Sequence, residues 1–439
     1  MQTVDAIIHA GFIIPVQPLN HILTQHSLVI HQGNILDILP TQLCNSRYQS
    51  DNTQERLEHV IIPGLINAHT HSPMSLFRGL ADDLALDDWL NHYIWPAEKK
   101  WSTPEFIATG TELAIAEMLR SGTTCFNEHY PFAKIIAAIT DKLGMRACIG
   151  GFFIDFPTND AQNSEAYFNK ADQLIQQYQS HPLITTAIAP HAPYSVSNNH
   201  FKRCLQLAET YQLPIHIHMH ETEFEVANSL KKYNARPLER LNQLGLINQR
   251  FISVHSVWLN DSDIQLLSKY NAHVVHCPKS NLKLASGFAP IQQLIDDGVN
   301  VALGTDGAAS NNSLDLFSEM QTAALLAKAV SQSPTALPAA QALKMATLNG
   351  AKALGIDHIT GSLETNKAAD LAIIHLNNIE SLPLYDPISQ LVYATNKNQV
   401  TDTWVAGQQL LNNRKLTLIN EQQLCNTIKV WQDKISKDL

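Results

Sequence analysis

The sequence predicts an α/β protein: a (β/α)8 barrel of the TIM type with a small flanking β-sandwich domain built from N- and C-terminal segments. Three observations lead there. Past residue 60, eight apolar runs alternate with helical stretches, which is the count of such a barrel. Most of these runs are continuously apolar, as buried parallel strands are. The two ends of the chain both have β-hairpin character and can pair with each other. The rival, an open doubly wound sheet, favours a glycine-rich phosphate loop after its first strand, and NAHTHSPMS is not one.

In chain order, DAIIHAGFIIPV and SLVIHQGNILDILP read as strands, with Gly33-Asn34 marking a hairpin. The barrel strands are expected in VIIPGLINAH, TTCFNEH, MRACIGGFFI, ITTAIAPH, PIHIHMH, FISVHSVW, AHVVHCP and VNVALGTD. The clearest helix starts at Ser102-Thr103-Pro104-Glu105, an N-cap followed by a proline tolerated in the first turn, and ends at Gly122. Further helices are expected in PFAKIIAAITDKLG, SEAYFNKADQLIQQYQ, NHFKRCLQLAETYQ, DSDIQLLSKYN and APIQQLIDDG. GSLETNKAADLAIIHL and QVTDTWVAGQQLL return to strand character, and NEQQLCNTIKVWQDKISK reads as a terminal helix. The expected division is residues 1–60 and 366–439 for the two sandwich halves, the second with the terminal helix, and 61–365 for the barrel.

Composition excludes several classes. The 439 residues are 45% hydrophobic and 16% charged, as in a soluble globular protein with a sizeable core. A net charge of −10 repels phosphate backbones and anionic membranes, so no nucleic acid or membrane partner is expected. No apolar run has the length of a membrane span, and MQTVDAIIHAGFIIPV lacks the features of a signal peptide. The six cysteines are scattered, with no C-x-x-C, which argues against a disulfide framework and against a thiolate zinc site. A cytoplasmic location is expected.

Histidine is the outlier, with twenty in the chain. His69 and His71 lie one residue apart at the end of the first apolar run, and on a strand residues i and i+2 share a face. Read in order, the expected strand ends carry His69 and His71, Glu128-His129, His191, the run His216-x-His218-x-His220-Glu221, His255, His276 and Asp306. A lone histidine is more often a hydrogen-bonded core residue than a ligand. Histidine or carboxylate at so many strand ends is harder to dismiss, because the active site of such a barrel lies at the C-terminal ends of its strands. Imidazole and carboxylate are ligands of zinc and similar divalent ions, which lower the pKa of a bound water toward neutrality. Periodicity alone leaves His216, His218 and His220 equally eligible.

PGLINAHTH, HMHE, HCPKSNLKLASG and LGTDGAASNNSLDLFSEM carry a resemblance over nearly the whole chain. It resembles the amidohydrolase superfamily, and within it the methylthioadenosine/S-adenosylhomocysteine deaminase group, which is related to the triazine hydrolases. The resemblance implies that His218, three residues before Glu221, is the fifth-strand ligand and that Glu221 is a proton shuttle. His216 would lie one layer deeper in the core, and His220 takes no role. The implied ligand set is His69, His71, His218 and Asp306. No lysine ends the fourth strand, so one divalent ion per subunit is implied: Zn2+ first, with Fe2+ or Mn2+ also compatible. His255 would orient or stabilise the hydroxide. Asp306 would accept the water's proton, Glu221 would protonate N1 of adenine, and ammonia would leave C6. Glu98 is the implied ribose ligand and His191 a nucleoside contact. Trp89 and Trp95 bracket an apolar loop that could form a pocket lid, although such tryptophans are more often packing.

One departure bears on substrate. Members that accept S-adenosylhomocysteine hold its carboxylate with arginine, and this chain has none between Arg146 and Arg203. 5′-Methylthioadenosine is therefore expected over S-adenosylhomocysteine, with adenosine open. A triazine or N-ethylammeline-type chlorohydrolase and a guanine deaminase are the alternatives on the same scaffold, and Glu221 favours deamination. A catalytically dead scaffold is disfavoured because all four ligands are present. The partner is a small-molecule nucleoside, and a homo-oligomer, dimer or tetramer, is expected from the family's habit.

Overall fold

The computed structural model describes residues 1–84 and 86–437. Eight parallel strands form the barrel: Leu65–Thr70, Thr123–Glu128, Arg146–Phe153, Ile184–Pro190, Ile215–Met219, Phe251–His255, His273–His276 and Asn300–Leu303. They hydrogen-bond to one another in chain order. Every residue of the first three is buried, the polar ones included, so neither face of these strands meets solvent. The seam between the first and eighth strands is closed largely by one side chain. Asn67 Nδ2 donates to Thr305 Oγ1 at 2.7 Å, its Oδ1 accepts from the Thr305 N–H at 2.9 Å, and the Asp306 N–H donates to the His69 carbonyl at 3.1 Å. Gly304 makes this approach possible, since a Cβ there would lie 2.8 Å from His69 Cβ.

The helix Pro104–Arg120 begins as its sequence requires. Thr103 Oγ1 accepts the Phe106 N–H, proline occupies the first turn, and the chain leaves through Gly122 at φ +80°. The other expected helices are present as Ala133–Lys142, Ser164–Tyr178, Asn198–Tyr211, Asp261–Lys269, Ile291–Asp296 and the terminal Glu421–Ser436. Among the described residues no helix is long and apolar enough to cross a membrane, and all six cysteines are free.

The two chain ends share one sheet. Its strand order is Lys415–Leu416, Gln408–Asn412, Val400–Val405, Leu371–His375, Thr53–Pro63, Ala6–Ile13, Leu23–His31 and Asn34–Pro40. The join is the antiparallel pairing of Leu371–His375 with Thr53–Pro63. The N-terminal hairpin turns at Gln32-Gly33, one residue earlier than the Gly33-Asn34 reading. Both turn residues have positive φ, and Asn34 already pairs with His31. Two ion pairs with buried carboxylates tie this sheet together and to the barrel. Arg56 Nε and Nη2 each lie 3.1 Å from Asp402. Arg146, on the third barrel strand, reaches Asp370 with Nε at 2.6 Å and Nη2 at 3.2 Å.

Candidate active site

Barrel closure brings the ends of the first, fifth and eighth strands to one point. His69 Nε2 and His71 Nε2 lie 3.4 and 3.2 Å from Asp306 Oδ1, and His218 Nε2 lies 3.2 Å from His69 Nε2. The ligand atoms of His69, His71 and His218 are all within 4.8 Å of one another. Three residues at strand ends have left-handed backbone: His220 at φ +53°, His255 at +67° and Asp306 at +62°. Non-glycine residues rarely adopt this conformation, and it clusters at functional sites, where surrounding contacts hold it.

The outer ring nitrogens are engaged. His71 Nδ1 donates to the His129 carbonyl at 2.6 Å and His218 Nδ1 to the His191 carbonyl at 2.7 Å. A carbonyl only accepts, so Nδ1 carries a proton and Nε2 is the nitrogen directed inward. His69 Nδ1 lies 3.1 Å from His216 Nε2, the two rings sharing one proton. Three imidazoles presenting Nε2 beside a carboxylate oxygen fit a divalent cation of the zinc type. A second grouping, His69 with His129 and His216, lies deeper. It has no carboxylate, and of its three members only His129 lines the cavity, so the first grouping is the better fit.

The electrostatics agree. Burial opposes ionisation of Asp306, but the hydrogen bonds from His69 and His71 outweigh it and hold the carboxyl well below the usual range. Its Oδ2 is fully used, accepting from Ser280 Oγ at 2.6 Å and Ser310 Oγ at 2.8 Å, so Oδ1 faces the histidines. Burial lowers His71, and its bond to Asp306 more than offsets this, leaving it raised. Burial takes His69 down to about 3 and His218 well below its ordinary value. Glu221 is pushed up by burial, with His255 opposing and Asp306 adding to the rise. His255 Nε2 stands 3.8 Å from Glu221 Oε2, while its Nδ1 donates to Asn281 Oδ1 at 2.9 Å.

A cavity of about 480 Å³ opens above this cluster. His71, His218, Glu221, His255 and Asp306 form its floor, and Trp89, Ile94, Trp95, Phe152 and Phe156 contribute apolar wall. His191 lines it too, with Nδ1 2.8 Å from Ser195 Oγ. Glu98 stands in the lining and accepts from Tyr130 Oη at 2.6 Å, and burial raises its pKa. The helix that carries it, Trp95–Trp101, is tied to the loop after the third strand by Asn159, whose Nδ2 donates to the Lys99 carbonyl at 2.9 Å.

Four other strand-end residues lie outside the cavity lining, the first being Glu128, whose Oε2 accepts the Ser72 N–H and whose Oε1 accepts the His129 N–H, each at 3.0 Å. His216 is wholly buried. His276 is buried with neither ring nitrogen hydrogen-bonded among the described residues. His220 is held by its surroundings, with Nδ1 donating to the Trp258 carbonyl and Nε2 accepting the Leu238 N–H, each at 3.1 Å. Sequence reasoning missed Tyr130, Ser280, Asn281 and Ser310. The last three fall inside quoted motifs, but nothing in their spacing says which atom they face.

Fold and site together define a metal-dependent hydrolase built on a (β/α)8 barrel. The chain belongs to the amidohydrolase family, which it matches over residues 60–410. It is 45% identical over 431 residues to a 5-methylthioadenosine/S-adenosylhomocysteine deaminase of Saccharophagus degradans, covering 98% of this chain and 97% of that one. A 5′-deoxyadenosine deaminase of Methanococcoides burtonii is 38% identical over 427 residues, covering 97% and 96%. The structure superposes on an adenosine deaminase from Xanthomonas campestris with bound zinc at a TM-score of 0.98 and 47% identity, over 99% of each chain. An atrazine chlorohydrolase from Arthrobacter aurescens, at 21% identity and a TM-score of 0.90, shares the fold, over 97% of this chain and 99% of that one.

Proposed function

We propose that the chain is a hydrolytic deaminase of adenine nucleosides, with 5′-methylthioadenosine as its preferred substrate. It works with one zinc ion held by His69, His71, His218 and Asp306. The observation that carries the reading is a pair of carboxyls with opposed environments on the floor of one apolar cavity. Burial makes Glu221 easier to protonate, whereas Asp306, with two serine hydroxyls on Oδ2 and the histidine cluster facing Oδ1, is held ionised. The activities of the relatives from Saccharophagus and Methanococcoides support the same substrate class, and the zinc in the Xanthomonas enzyme supports the metal.

A divalent ion bound at this cluster supplies Lewis acidity that makes a water molecule nucleophilic near neutral pH. Asp306 Oδ1 takes a proton from the attacking water, its Oδ2 being occupied by the two serine hydroxyls. Glu221 gives a proton to N1 of adenine, neutralising charge on the ring as the water oxygen bonds to C6. His255, its Nδ1 fixed by Asn281, turns Nε2 toward Glu221 and the attacking oxygen. The proton held by Asp306 then passes to the C6 amino group, the C6 hydroxyl returns a proton to Glu221, and ammonia leaves the hypoxanthine ring.

Glu98 accepts the ribose hydroxyls, with Tyr130 holding one of its oxygens in place. The 5′ substituent meets apolar wall. Among the described residues no arginine lines the cavity, and its one lysine, Lys99, is exposed. A solvated amine gives an amino-acid carboxylate little binding energy. An alkylthio group is therefore accepted better than a homocysteine tail.

The test is an ultraviolet assay of adenine-to-hypoxanthine conversion on zinc-loaded protein, with 5′-methylthioadenosine, adenosine and S-adenosylhomocysteine in parallel. The expected result is turnover of 5′-methylthioadenosine, a lower kcat/KM for S-adenosylhomocysteine, and loss of about 10²–10⁴ in kcat for Glu221→Gln. No turnover of any adenine nucleoside by metal-loaded protein would sink the reading. A preference for S-adenosylhomocysteine would remove the 5′ argument alone.

A further inference from the structure

The stretch Thr222-Glu223-Phe224-Glu225 has the letters of a capping box, in which the fourth residue sends its carboxylate back to the N–H of the first. Half of that arrangement is present: Thr222 Oγ1 accepts the Glu225 N–H at 3.2 Å and starts the helix Glu223–Tyr233. The other half is diverted. Glu225 passes Thr222 and reaches further back, with Oε2 accepting the Glu221 N–H at 2.9 Å and Oε1 the His220 N–H at 3.0 Å. Both carboxylate oxygens are thus spent on the two residues that turn the chain off the fifth strand. The side chain is buried, which pushes its pKa up to about 8 against the pull of the two N–H groups, and its oxygens lie at the N-terminal end of its own helix.

The turn it holds is unusual. His220 has left-handed backbone and is fixed at every polar atom. Its carbonyl accepts the Val257 and Trp258 N–H groups at 3.0 and 2.9 Å, both ring nitrogens are bonded, and its N–H goes to Glu225. Reversing φ at His220 would swing the next residue out of the cavity, and the next residue is Glu221. Glu221 has its own N–H anchored on the other oxygen of the same carboxylate.

We infer that Glu225 is a positioning residue for the deamination, clamping the backbone of His220 and Glu221 so that the Glu221 carboxyl is aimed at the substrate ring. The inference rests on the reading of Glu221 as the proton shuttle. It assigns His220 the strained hinge of the clamp. Glu225 touches neither the proposed metal ligands nor the cavity, so its removal acts on kcat through Glu221, leaving metal content and KM near their original values.

The experiment is a double-mutant cycle on zinc-loaded enzyme with Glu225→Gln, Glu221→Gln and the pair, reading kcat, KM and bound zinc. An amide presents only one acceptor where two N–H donors converge, so Glu225→Gln is expected to lower kcat by about tenfold or more. KM should change less than about threefold and bound zinc stay constant, since neither depends on where the shuttle points. The decisive arm is the pair: it should be about as slow as Glu221→Gln alone, because a misaimed shuttle costs nothing once the shuttle is gone. Multiplying losses, or loss of zinc in Glu225→Gln, would overturn the clamp while leaving the shuttle standing. A fully active Glu221→Gln would overturn both. Should Glu225→Gln fail to fold, Glu225→Asp, one methylene short of spanning both donors, is judged by the same criterion in the same cycle.

Discussion

Two parts of this molecule bury charge, and they do it in opposite ways. In the flanking sheet each buried carboxylate meets a guanidinium: Asp402 has Arg56 and Asp370 has Arg146, each through two contacts. At the mouth of the barrel Asp306 faces His69 and His71 and Glu221 faces His255, and no lysine or arginine pairs with either carboxyl among the described residues. The difference teaches what each region is for. A carboxylate matched with its own cation is finished as structure. Carboxylates that face imidazoles and meet no lysine or arginine are left open to a cation from outside.

The largest break in that comparison is expected from Asp306→Asn, which keeps the shape and removes the charge. Bound zinc should fall from about one ion per chain to near none, with deamination falling in step. Inductively coupled plasma mass spectrometry beside the ultraviolet assay reads both. A chelator should lower the melting temperature of the parent protein and leave that of Asp306→Asn unmoved, since a ligand stabilises only the state that binds it.

Where the sheet joins the barrel, Arg146→Met should strand Asp370 and cost about 3–5 kcal/mol in denaturant unfolding. Adding Asp370→Leu should restore most of that loss. A full loss that persists in the double variant would mean that the contacts of the arginine stem, not the ion pair, hold the junction.

Glu98→Gln sharpens the view of the cavity mouth. Replacing a charged acceptor by a neutral one should raise KM for 5′-methylthioadenosine by about tenfold, with a smaller change in kcat. A kcat loss with KM unchanged would place Glu98 in the chemistry instead of in ribose binding.

The smallest effect is expected from acid. His59, in the flanking sheet, is lowered from its ordinary value to about 4 by burial, with His375 and Arg56 beside it adding to the shift. A histidine whose folded pKa is depressed contributes stability that is present above about pH 6.5 and is lost as pH falls through about 4. The melting temperature should decline over that window, and His59→Leu should flatten part of the decline. An unchanged slope in His59→Leu would assign the decline elsewhere.

Much of the fold was legible because it is written locally. Continuous burial of Arg146–Phe153 appears as an apolar run behind its arginine, and Thr103-Pro104 announces its helix within four residues. The hairpin turn was read one residue late because Asn favours positive φ, yet pairing gave that conformation to Gln32. Glu225 was invisible for a related reason: its letters spell a local cap, and only the coordinates show the carboxylate reaching past it.

The sequence by itself determined the alternation that makes a barrel, the polar ends of its strands and the chemical type of the cluster there, since periodicity and side-chain identity are properties of short stretches. Only the tertiary structure decided which nitrogen of each histidine faces inward, which oxygen of Asp306 the serines occupy, and how Asn67 meets Thr305 across the seam. Those facts depend on contacts between residues as far apart as 238 positions, which exist only once the first strand closes on the eighth.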